Sequence, residues 1–193
     1  MTCIVRKEQA AKLAAWCNHS DFVSELGVIS LARSSPYYDP TESKGMSRFN
    51  FRLSGQFAAG LYAHECYEEA HRQLFKLFRR LGENAGLGPR YCGHSHNPDT
   101  GEIKPWRFVN YPATFTALTS VVEGVFGVRW THGGLTAQVH SPWPWAKLSN
   151  LSIRDSLLDL ELTPDGSLVA RINGKEVARS AVRNVALPWE VFV

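Results

Sequence analysis

Residues 118–139 read LTSVVEGVFGVRWTHGGLTAQV, and the spacing of apolar positions changes within that stretch. Leu118, Val121, Val122, Val125 and Phe126 recur three or four apart, on one side of a helix that Gly127 stops. Leu135, Ala137 and Val139 instead alternate with Thr136 and Gln138, which is the period of a strand. A helical regime over residues 7–127 therefore gives way near residues 129–134 to a strand regime. The expected fold class is α+β, with a helical part over 1–129 and a β-module over 130–193.

Toward the N-terminus, Ala70, Leu74, Leu77, Phe78 and Leu81 fall on one helix face that Gly82 and Gly86 help to end. Residues 56–65 read as a shorter helix before it. The helix leading to Gly127 opens at Pro112, and its apolar face predicts deep burial. Toward the C-terminus, Leu158, Leu160 and Leu162, then Leu168, Ala170 and Ile172, alternate as strands. Pro164, Asp165 and Gly166 give the turn between them, and Asn173-Gly174 is a two-residue hairpin signal. Glu161, Arg171 and Lys175 mark a polar face, so an antiparallel sheet or half-sandwich covered on one side is expected.

Composition excludes several function classes. The 193 residues are 44% apolar, enough for one sizeable core or two small ones. A formal charge of +3, with Lys and Arg scattered among acids, offers no stripe for a phosphate backbone, so no nucleic-acid partner is expected. No apolar run reaches the roughly 20 residues that span a bilayer. Residues 1–5 are too short for a signal peptide core, which makes a cytoplasmic location the default, and the abrupt helical start suggests a truncated piece. Cys3, Cys17, Cys66 and Cys92 form no C-x-x-C pair and read as reduced, mostly buried thiols.

The helical regime carries a family resemblance. Residues 27–38, GVISLARSSPYY, resemble the segment before the penultimate inner helix of six-hairpin glycoside hydrolases. An inner helix follows, then Cys66, Tyr67, Glu68, Glu69 and Ala70 opening an outer helix, then the loop Asn97, Pro98, Asp99, Thr100, Gly101, Glu102. Residues 110–127 are similar to the last inner helix, which in several of these families leads into a C-terminal β-module. The clan includes processing α-glucosidases, trehalases, α-L-rhamnosidases and glycoside phosphorylases. The resemblance implies the end of a partial (α/α) six-hairpin barrel, acting on glucosides or related oligosaccharides in the complete polypeptide. The alternatives are a non-catalytic sugar-binding or assembly remnant, or a phosphorylase fragment.

Such hydrolysis uses two carboxylic groups, one protonating the leaving oxygen and one activating water. The resemblance implies a general acid upstream of this chain and a base three residues before the Asn-Pro loop, where His94 stands. His94 and Glu102 are thus the catalytic candidates. The chain alone is expected not to hydrolyse aryl glucosides or maltose-type disaccharides. His94 and His96 sit one residue apart, but without a third ligand no metal and no cofactor is expected. His96, Trp106, Arg48, Arg52 and Glu123 are the substrate-binding candidates. Trp106 offers a ring for a sugar face or caps the core; Arg48 and Arg52 lie where the clan has a Trp-Arg-Gly-Pro cleft segment. Glu123, central on an apolar face, is a cleft carboxylate or a salt-bridge partner. Trp143, Pro144 and Trp145 form an aromatic knot, read as a domain-interface plug or a sugar platform. The partners implied are an oligosaccharide or glycoside, and the remainder of the barrel or another subunit.

Overall fold

The computed structural model describes residues 6–41, 49–84, 96–102 and 113–192. The chain forms two compact units, Met1–Ser120 and Val121–Val193.

The first unit contains helix α1 (Lys7–Trp16), a two-residue hairpin of β1 (Val23–Ser24) and β2 (Gly27–Val28), and helices α2 (Phe51–Ala63), α3 (Tyr67–Asn84) and α4 (Ala113–Thr119). Helix α2 begins earlier than its apolar pattern suggests because Asn50 caps it: Oδ1 accepts from the amides of Arg52 at 2.9 Å and Leu53 at 3.3 Å. Its partner α3 buries Ala70, Leu74 and Leu77, as their spacing requires, and leaves Phe78 and Leu81 half-buried.

These helices do not build a partial (α/α) barrel. Such a barrel alternates inner and outer helices of comparable length. Here a β-hairpin stands between α1 and α2, and α4 has only 7 residues. With four α-helices and three sheets among the described residues, the six-hairpin expectation is overturned. No helix among these residues is long and apolar enough to cross a membrane.

The deep burial expected of the helix before Gly127 holds only in part, for a local reason. After α4 the chain winds as a π turn, Ser120–Val125, in which the amide of Phe126 reaches the carbonyl of Val121 at 3.0 Å. The extra residue per turn rotates every later side chain away from the face an α-helix would give it. Leu118, which precedes the turn, is exposed, whereas Val125 and Phe126 at its far end are buried, so the three do not share one face.

The second unit contains β3 (Arg129–Thr131), β4 (Gly134–Gln138), β5 (Ala146–Ile153), β6 (Ser156–Leu162), β7 (Leu168–Ile172), β8 (Lys175–Ser180) and β9 (Asn184–Pro188). One antiparallel sheet runs β3-β4-β9 and the other β5-β6-β7-β8. The alternating leucines of β6, with Leu168, Ala170 and Ile172 of β7, are buried as expected, but Val169 is buried too. On the other face Arg171 and Glu161 form an ion pair at 2.5 Å. Asn173 and Gly174 both take positive φ, +51° and +81°, and close the β7–β8 hairpin. Strand β5 carries a bulge between Leu148 and Leu151, where Asn150 has φ +58°, so its apolar positions never alternate cleanly.

Candidate functional site

The loop 97–102 is shaped by its own first residue. Asn97 is buried, and its side-chain oxygen accepts from the amides of Asp99 at 2.9 Å and Thr100 at 3.1 Å. Its carbonyl accepts from Gly101 at 2.8 Å, and its amide donates to the carbonyl of Glu102 at 2.9 Å. This Asx turn leaves Asp99 projecting from a rigid base.

Two residues from the segment after β2 grip that carboxylate. Arg33 donates to Asp99 Oδ1 through Nε at 3.2 Å and Nη2 at 2.8 Å, and Tyr38 donates its hydroxyl to Oδ2 at 3.1 Å. Burial, and next the bond to Asp99, push the Tyr38 phenol above its usual range, so it remains a neutral donor at physiological pH.

Helix α3 supplies the opposite wall. Lys76 donates to the carbonyl of Ser24 at 2.8 Å and so holds the β1–β2 hairpin against the helix. Arg80 reaches Gly101 O at 2.6 Å and Glu83 at 3.0 Å, and its Nε donates to His96 Nδ1 at 3.1 Å. His96 Nδ1 therefore carries no proton. The hydrogen bond from Arg80, aided by that from Arg79, holds the Glu83 carboxyl below the usual range against the opposing effect of desolvation.

Between hairpin, helix and loop lies a groove of about 330 Å³. The hairpin contributes Glu25 and Leu26, helix α3 contributes Lys76, Arg79, Arg80 and Glu83, and the loop contributes residues 98–101. Its size is at the lower end of the roughly 300–1,000 Å³ typical of small-molecule sites. Cations and carboxylates both line it, so it offers directed donors and acceptors rather than a field of one sign. That arrangement suits a neutral, hydroxyl-rich ligand. Glu83 is shifted toward ionisation, the opposite of what a general acid needs.

The sequence-derived candidates are placed as follows. Glu102 is exposed and directly follows Gly101 of the groove wall. His96 is fully buried: its backbone bridges to Phe49 in both directions at 2.9 Å, and its ring meets Phe51 edge-on at 5.0 Å. It is positioned to orient Arg80 rather than to face solvent. Arg52 is exposed in the first turn of α2. Glu123 does not sit on an apolar face; it is half exposed and pairs with Arg129 at 4.0 Å. His94, Arg48, Trp106, Cys3 and Cys92 lie outside the described residues. Cys17 and Cys66 are not in a disulfide. No cluster of three metal-ligating side chains occurs among the described residues. Arg33, Tyr38, Arg80 and Glu83 were not singled out as site residues by sequence, since their partners are distant in the chain.

No protein-family model matches the chain, and no curated protein matches it. Among solved structures it is similar to a chain titled "Sialidase", with a TM-score of 0.69 and 15% identity. The match covers 93% of this chain and 19% of that one, so the chain spans about a fifth of its structural neighbour's length. At that identity the likeness shows the fold alone.

Proposed function

We propose that this chain is part of a carbohydrate-active protein of the glycoside hydrolase kind, and that the groove of the first unit binds a glycan. The observation that carries this reading is the backbone likeness, over 93% of the chain, to a sialidase. The groove's chemistry supports it. Ionised side chains pinned by neighbours hold fixed directions, and a sugar hydroxyl can accept from Lys76 or Arg79 while donating to Glu25 or Asp99.

In this reading hydrolysis belongs to the complete polypeptide, with His94 and Glu102 as catalytic candidates and Arg52 as a substrate contact. The described carboxylates tied to arginines favour binding over proton transfer, which also supports the alternative of a non-catalytic sugar-binding segment. A thermal-shift screen with sialyllactose, maltohexaose and a panel of plant-type oligosaccharides tests the proposal. A ligand at 100 times its Kd stabilises the folded state by about 2.7 kcal/mol, a readily measured rise in Tm. No rise with any member of the panel would contradict it.

A further inference from the structure

The second unit holds an aromatic pair that the groove does not use. Trp130 of β3 and Trp189 of the 3-10 turn Trp189–Val191 stack almost parallel, with centroids 5.8 Å apart and planes 10° apart. Trp189 is held in its own right. Its Nε1 donates to the carbonyl of His132 at 3.0 Å, Phe192 lies against it at 5.9 Å, and the Arg154 guanidinium sits 4.6 Å from its centroid. Such a cation over an indole is attractive.

Arg154 is held there at a conformational cost. It lies in the two-residue connection between β5 and β6 with φ +52°, a left-handed conformation that asparagine or glycine would adopt more easily. The turn thus carries an arginine where a turn-former is expected, and its guanidinium stacks on the second ring of the pair. Among the described residues Arg154 has no carboxylate within ion-pair distance.

Trp130 itself is 59% exposed, on a strand whose three residues are all exposed. An open indole backed by a fixed ring keeps its orientation in water, as a binding platform must. The size of the patch indicates its ligand. A stable protein partner needs roughly 1,000 Å² or more of buried surface. Here the exposed neighbours Arg129, Thr131, His132 and Gly133 add no large apolar side chain. One flat apolar face with hydrogen-bonding groups around it matches a pyranose, whose C–H face stacks on a ring while its hydroxyls meet polar neighbours.

We propose that Trp130 is the stacking platform of a glycan-binding site on the second unit, with Trp189 and Arg154 as its positioning residues. This rests on the carbohydrate reading above. It adds what the groove lining lacks among the described residues, an aromatic ring.

Isothermal titration of the whole chain with maltohexaose, cellohexaose, xylohexaose and mannohexaose tests it, using wild type, Trp130→Ala and Trp130→Phe. At least one hexaose is expected to bind wild type, to bind Trp130→Ala roughly tenfold or more weakly, and to bind Trp130→Phe nearly as wild type does. Equal affinity of Trp130→Ala and wild type would overturn the platform and leave the carbohydrate reading standing. Equal loss in Trp130→Ala and Trp130→Phe would overturn stacking as the cause. Absence of binding by wild type to any hexaose would overturn the platform, and the reading beneath it falls as well only where the thermal-shift panel is also silent.

Discussion

Arg33 holds Asp99 across 66 residues of sequence, with two of its nitrogens on one carboxylate oxygen at 2.8 and 3.2 Å. The same guanidinium donates through Nη1 to the carbonyls of Ser20 and Val23, the latter at 2.8 Å. One side chain therefore ties the loop that walls the groove to the segment that precedes the hairpin.

Removing it should cost more than removing its partner. Arg33→Ala removes the donor to two carbonyls and leaves the Asp99 carboxylate with Tyr38, and is expected to destabilise by on the order of 2 kcal/mol. Asp99→Ala loses a partly exposed ion pair and should cost about 1 kcal/mol or less. Urea denaturation of both single variants and the double variant measures the coupling. Equal costs for the two would show that the carbonyl contacts contribute nothing.

Gln73 presents the opposite case. It is only 2% exposed, and neither its amide nitrogen nor its oxygen has a partner among the described residues. A buried amide left unsatisfied costs about 1–3 kcal/mol, so the near-isosteric Gln73→Met should raise stability by about 1 kcal/mol. A lower Tm for this variant would mean that the amide is satisfied in solution.

At Gly127, φ is +56° and an added Cβ would strike the carbonyl oxygen of Gln138. At Gly174, φ is +81° but nothing lies within 4 Å of that position. Gly174→Ala should therefore cost only the left-handed penalty, about 1 kcal/mol, while Gly127→Ala should cost more, roughly 3 kcal/mol. Chemical denaturation of each variant reads the difference, and a Gly127→Ala no worse than Gly174→Ala would contradict the close approach.

Acid should loosen the protein through specific carboxylates. Hydrogen bonds from Ser34 lower Asp21, those from Thr163 lower Asp165, and arginines lower Glu83 and Glu176. A carboxyl group with a depressed folded pKa stabilises above its unfolded value and loses that contribution as pH falls through the folded value. The loss should begin near the ordinary values of 3.8 and 4.5 and continue below them. Tm measured against pH should fall in that window, less steeply in Asp165→Asn. A Tm that rises on acidification through the window would contradict this.

The sequence revealed what local periodicity controls. The leucines of β6, the Asn173-Gly174 turn and the buried face of α3 follow from spacing alone. Strand β9 was not anticipated: it lies beside β4, Val185 opposite Ala137, although β5 to β8 intervene in the chain, and no local pattern encodes that choice. Strand β5 was hidden by its bulge, and Leu118 was set on one face with Val125 and Phe126 because the π turn between them is invisible to a 3.6-residue period. The barrel reading failed because it relied on the order of segments, each of them common, rather than on packing. Of the groove, the loop of residues 97–102 was picked out only through the family resemblance, whereas Tyr38, Arg33 and Arg80 reach it from elsewhere in the chain.

The most direct test of glycan binding in the groove is calorimetric titration of the best ligand from the thermal-shift screen into wild type and a Glu25→Ala, Arg79→Ala double variant. Both side chains are exposed and line the groove, so the fold should persist. Binding weakened roughly tenfold or more, with Tm nearly unchanged, is the predicted result. Undiminished affinity in the double variant would contradict a glycan site in the groove.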